Sequence, residues 1–100
     1  MSPVAVTWSP RSIECVQRLY RFLAEKNPEA AQAAAALILG QADLLEKFPN
    51  SGRPAADLTP EHRELLIPFG AAGYVLLYHF DEDRYAVTVL GVRHQRETGY

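Results

Sequence analysis

Arg53, His62, Arg63, Arg93, His94 and Arg96 are the side chains of this chain best suited to meeting an anion or moving a proton. Arginine presents a planar fork that matches phosphate or carboxylate. Histidine trades a proton near neutral pH. Three of the six sit in "RHQRE", directly after the apolar, β-branched stretch Val87 to Val92. If Arg63 begins one strand and Arg93 ends another, a strand meander brings them to one rim of a sheet. The plainer alternative is a set of solvated strand ends with local ion pairs, such as Arg96 with Glu97. His79, in the middle of an apolar stretch, reads as a hydrogen-bonded sheet residue. Arg53, in "SGRP", either belongs to an ordinary turn or is aimed by that turn at a partner.

Other chemistries lack their residues. Gly70 to Gly73 lies between strands, with no following helix or lysine, so it is not a phosphate loop. His62, His79 and His94 have no zinc-site spacing, and Cys15 has no second cysteine beside it. No serine lies in the Gly-x-Ser-x-Gly pattern of a strand-to-helix nucleophile elbow. The sequence therefore implies neither a metal, nor a cofactor, nor a nucleophilic hydrolase.

The elements that must position these residues are legible in the pattern. A chain of 100 residues with 48% hydrophobic and 22% charged residues is one ordinary globular domain. Its formal charge of −2 gives no global attraction to nucleic acid. One cysteine, a small buried hydrophobe at a helical position, fits a reducing cytosol. The start "MSPVAVTWSP" carries no signal-peptide pattern, and no apolar run is long enough to span a membrane.

Val4 to Trp8 reads as a strand. Ser9-Pro10 starts a helix, the serine as cap and the proline in the first turn. Ile13, Val16, Leu19, Tyr20 and Leu23 form its apolar stripe. Asn27-Pro28 ends it and starts a second helix through Phe48, with Leu37, Ile38, Leu44, Leu45 and Phe48 as apolar positions and an alanine-rich thin surface. "FPNSGRPAADLTPEH" is an ordered surface loop. "RELLIPF", "YVLLYHF" and "RYAVTVLGV" then alternate with period two, joined by turns at Gly70 to Gly73 and Asp81 to Asp83. The expected fold is α+β, in the order β-α-α-β-β-β, a helical hairpin packed on a twisted, mainly antiparallel sheet. Trp8, Tyr74 and Tyr78 are expected in the core or an interface, since no Lys or Arg interleaves them as in a base-stacking platform. The central strands are apolar on both sides, so the face away from the helices must be half covered or open to a partner.

The stretches "VTWSPRSIECVQRLYRFL", "LEKFPNSGRP", "RELLIPFGAAGYVLLYHFDEDRYAVTVLGVRHQRE" and the terminal "GY" occur in an order that resembles the ParE-type toxins of the RelE/ParE superfamily, the plasmid-stabilising toxins of type II toxin–antitoxin modules. The resemblance covers nearly the whole chain. It implies a ParD-like antitoxin whose disordered C-terminal part folds over the toxin in a hetero-oligomer. It implies, for ParE relatives, inhibition of DNA gyrase by binding, without a catalytic group. RelE relatives instead cut mRNA on the ribosome.

An RNA cutter needs a base for the 2′-OH, cations for the phosphorane and an acid for the leaving oxygen. His94, Arg96 and Tyr100 supply those types, and are the residues that the nuclease alternative would use. The acidic chain, with only two lysines, Lys26 and Lys47, argues against strong independent nucleic-acid binding. On the binding reading, Arg53, Arg63, Arg93, His94 and Arg96 form the target-binding surface. Arg11, Arg18, Arg21 and Leu37 on the helical hairpin are the expected antitoxin contacts, with a solvated helix face as the alternative for the arginines. A relative that has lost its activity and acts only through its antitoxin is a third possibility.

Overall fold

A computed structural model describes residues 3–97, 99 and 100; Met1, Ser2 and Thr98, which the start and tail readings included, lie outside it. The elements are β1 (Ala5–Trp8), α1 (Pro10–Ala24), α2 (Pro28–Asp43), β2 (Arg53–Pro54), β3 (His62–Phe69), β4 (Ala72–Asp81) and β5 (Ala86–His94). The helices pack on a five-stranded sheet ordered β1-β5-β4-β3-β2. The α+β fold expected from the sequence is therefore observed.

Both helix starts follow from their caps. The Ser9 side chain accepts from Ser12 N–H at 3.1 Å, and the Asn27 side chain accepts from Ala30 N–H at 3.0 Å. Each satisfies an N–H that the first helical turn leaves without a partner. The buried face of α1 is rotated from the expected stripe. Ser12, Cys15 and Leu19 are buried, whereas Ile13 and Tyr20 are exposed. Ser12 tolerates full burial because its hydroxyl donates to the Ser9 carbonyl at 2.7 Å.

The second helix ends earlier than Phe48. It tightens at Leu44–Glu46 into a 3-10 turn that buries Leu45 and leaves Leu44 and Phe48 exposed. Val4 N–H donates to the Glu46 carbonyl at 2.9 Å, which fastens this turn to the strand end. The expected surface loop contains β2, paired with Glu64 and Arg63 of β3. Pro54 has no N–H, so it fits an edge strand and no other position in the sheet.

The three-strand meander is antiparallel as expected, while β1 lies parallel to β5. Strand β5 runs on past the apolar stretch to His94, so Arg93 and His94 are both strand residues. Successive strand residues point to opposite faces. Leu76, Tyr78 and Phe80 of β4, with Val87, Val89 and Val92 of β5, form the core against Leu19, Ala34, Ile38 and Leu45. A β-bulge at Leu77/Tyr78 lets Gly91 oppose Leu77 while Val89 opposes Tyr78. Val75 and Leu77 look the other way, yet are 2% and 9% exposed. The open face is thus half covered.

Candidate functional site

One row across the open face reads Arg53, Glu64, Leu77, Gly91 from β2 to β5. The chain end folds back over it. A Cβ on Gly91 would meet the Tyr100 ring at 3.0 Å, so glycine is what lets the aromatic ring lie on the sheet. The Tyr100 hydroxyl donates to Glu64 Oε2 at 2.7 Å. Arg53 donates to Glu64 Oε1 at 3.3 and 3.4 Å, and an Arg93 nitrogen lies 3.9 Å from Oε2. Glu64 therefore collects a phenol and two guanidinium groups. The Arg93 guanidinium carbon also stands 5.2 Å from the centroid of the Tyr100 ring, and another of its nitrogens donates to the Glu97 carbonyl at 2.7 Å. Arg93 is the clasp that ties β5, the turn after it and Tyr100 together.

These contacts define the state of the tyrosine. Burial, then the hydrogen bond to Glu64 and its negative charge, push the Tyr100 phenol well above its ordinary 10.0, against an opposing pull from Arg93. It is held as a neutral donor. The sign for stability follows: the contribution is complete below the unfolded value of 10.0 and is lost as pH rises through the higher folded value. Ultraviolet titration of wild type minus Tyr100→Phe should show no phenolate from Tyr100 at pH 10, and release of the chain end only at higher pH. Ionisation at the ordinary value would refute the clasp.

The other sequence candidates lie elsewhere. Arg63 pairs with Tyr78, on the core side, and its guanidinium donates to the Gly52 carbonyl at 2.7 Å. Arg63 and Arg93 face opposite sides, and their partners on β4 stand about 10 Å apart along the strand. They do not share a rim. His94 pairs with Tyr74 on the helix-facing side, ring centroids 5.8 Å apart. Its Nδ1 accepts from the Arg96 N–H at 3.1 Å, so the neutral ring carries its proton on Nε2. With Arg18, Phe22, Phe69, Tyr74 and Arg96 it lines a cleft of about 540 Å³. His94 and Arg96 are together there, and Tyr100 is on the other face.

Glu97 pairs with Arg18 at 3.2 Å rather than with Arg96. Arg11 and Arg21 are exposed and make no ion pair among the described residues, while Leu37 is half-buried against the core. The residue missed from sequence is Glu64. A lone carboxylate in "RELLIPF", on the face opposite the apolar Leu65 and Ile67, was the available signal. No group of three or more His, Cys, Asp or Glu among the described residues is arranged around a metal. Among the described residues no helix is long and apolar enough to cross a membrane.

The chain is 37% identical over 93 residues to Toxin RelE3 of Caulobacter vibrioides, covering 93% of this chain and 96% of that protein. Toxin RelE1 of the same organism is 36% identical over 70 residues, 70% of this chain and 72% of its own length. The fold matches a chain of the chromosomal ParDE toxin–antitoxin system from P. aeruginosa with a TM-score of 0.75 at 17% identity, covering 91% and 95% of the two chains. It matches a chain of the RelBE2 toxin–antitoxin complex from Mycobacterium tuberculosis with a TM-score of 0.62 at 21% identity and 97% coverage of both. At these identities the structural likeness concerns the fold alone. The sequence itself goes further: residues 6–99 match the family described as ParE toxin of type II toxin-antitoxin system, parDE. With that match, a helical hairpin laid on the expected sheet, and relatives alike over most of their length, the chain belongs to the ParE toxin family within the ParE/RelE superfamily.

Proposed function

We propose that this chain is a toxin that inhibits DNA gyrase by binding it, and that a ParD-like antitoxin neutralises it in the bacterial cytosol. The observation that carries this reading is the state of the open face. Two arginines there converge on one carboxylate, the tyrosine is a neutral donor to the same carboxylate, and His94 is on the other side of the sheet. A phosphate would have to displace Glu64 before meeting the buried Arg93, and no proton acceptor of the expected set stands beside the two cations. Such a face suits recognition by shape and hydrogen bonding better than phosphoryl chemistry. Arg53, Arg93 and the Tyr100 edge then form the target surface. Arg63 shapes it indirectly by fixing the Gly52 turn.

For the antitoxin, the cleft beside α1 supplies an apolar floor of Phe22, Phe69 and Tyr74 under Arg18, Arg96 and His94. This arrangement fits an acidic amphipathic segment that folds as it binds. Arg11 and Arg21 extend the cationic border along α1, and Leu37 supports the hairpin from beneath.

The test sets purified protein against gyrase supercoiling and against translated mRNA in parallel. Blocked supercoiling with trapped, cleaved plasmid is expected, and mRNA should stay intact. Site-specific cleavage of translated mRNA with untouched gyrase would instead establish the ribosome-dependent endoribonuclease, the activity implied by RelE relatives.

A further inference from the structure

His62 and His79 are 17 residues apart in sequence and directly opposite on β3 and β4. Phe80 N–H donates to the Glu61 carbonyl at 2.9 Å, which makes Glu61 and Phe80 the hydrogen-bonded pair of the ladder. His62 and His79 therefore occupy the next, non-hydrogen-bonded position, where cross-strand side chains come closest. Their ring centroids are 5.0 Å apart and their planes 69° apart. Both residues are half-buried, on the open face one row from Glu64.

The Thr59 hydroxyl lies 2.7 Å from His62 Nδ1. A hydroxyl accepts as well as donates, so it can take a hydrogen bond from Nδ1–H and leave the Nε2 lone pair to an ion. A metal-ligating histidine has its far nitrogen held in this way.

We propose that His62 and His79 form a two-histidine site for a late first-row divalent ion of the Zn²⁺, Cu²⁺ or Ni²⁺ class. Imidazole nitrogens suit these ions. Two rings bound to one tetrahedral ion at about 2.0–2.1 Å place their centroids about 5 Å apart. The observed separation is already there, so binding needs ring rotation and no movement of the strands. The remaining coordination positions would be taken by water or by a ligand from a partner. The linear spacing of the histidines concealed this pair, because antiparallel register and not sequence distance brings it together. The site stands whichever cellular target the toxin has.

The experiment uses the full chain without an affinity tag. Zn²⁺ at sub-millimolar concentration should raise the melting temperature by several degrees. His62→Gln and His79→Gln should each weaken binding at least tenfold. Thr59→Val should weaken it roughly tenfold through loss of the hydroxyl beside Nδ1, and His94→Gln should leave it unchanged. Cu²⁺ should give a two-nitrogen spectrum by electron paramagnetic resonance. In the unsubstituted protein, Cu²⁺ should broaden the ring resonances of His62 and His79 together and spare His94, which answers the question even if a variant fails to fold. No melting shift at millimolar Zn²⁺, a one-nitrogen spectrum, or broadening centred on His94 overturns the proposal.

Discussion

Glu64→Ala should cost about 3 kcal/mol of folding stability and lower the melting temperature by about 10–20 °C. Glu64 accepts from the Tyr100 hydroxyl and Arg53 and is ion-paired with Arg93, and its side chain is 14% exposed. Without it, the Arg93 guanidinium, 16% exposed, keeps its charge and loses its one ion-pair partner among the described residues. Removing one partner of a buried pair costs more than the pair contributes, because the other charge stays behind. The Arg53 share is smaller, since that side chain is 55% exposed and water replaces the carboxylate. Glu64→Gln keeps an acceptor for the phenol and should cost about half as much. A double-mutant cycle with Tyr100→Phe should show coupling of about 1 kcal/mol. A loss below that for Glu64→Ala would mean that the cluster is a surface decoration. The same variants bear on function: on the gyrase reading, disordering Tyr100 reshapes the target surface and should weaken gyrase inhibition more than tenfold.

Tyr78→Phe should cost about 2–3 kcal/mol although it removes one oxygen. The hydroxyl donates to the Pro49 carbonyl at 2.7 Å and accepts from the Gly52 N–H at 2.9 Å. Phenylalanine leaves both backbone groups without this partner, and Gly52 is buried. The packing leaves little room for adjustment: a Cβ on Gly52 would lie 2.8 Å from both the Glu64 carbonyl and the Tyr78 ring. Arg63, donating to the Gly52 carbonyl, is the second latch on the same turn. Its removal together with the hydroxyl should therefore be non-additive. Hydrogen exchange at the Gly52 amide reads the effect directly. Exchange as slow as in wild type would show that Tyr78 does not hold this turn. Because Arg53 follows Gly52, a loosened turn also moves one of the two arginines facing Glu64.

What could be read from the sequence was local. Ser9-Pro10 and Asn27-Pro28 mark both helix starts because a cap and the residue it serves are three positions apart. Period-two alternation marks β3, β4 and β5 because each strand records its own two faces. The parallel β1 neighbour of β5 left no such trace, since its pairing is entirely non-local. Strand β2 was hidden by its length and its proline. Ser12 looked polar, and only its bond to the Ser9 carbonyl explains its burial. The site suffered the same limit. Arg53 and Arg93 were visible as residue types, yet the carboxylate that binds them lies on a third strand. His94 and Tyr100, six positions apart, were read together, and strand alternation with the returning chain end put them on opposite faces.

The edge pairing of β1 also sets an order of assembly. Thr7 and Val87 are neighbours in the folded sheet and 80 positions apart in the chain. The helical hairpin and the β3-β4-β5 meander can form from near contacts, whereas β1 must wait for β5. Contacts of this span slow folding because a long loop must close first. During synthesis at about 5–20 residues per second, the apolar flank of α1 and α2 stands without its strands for several seconds. A ribosome that stops before β5 releases a chain without the strand that joins β1 to β4, so the sheet under the hairpin stays incomplete. On the proposed toxin reading, activity is thus confined to chains that are translated through their last strand.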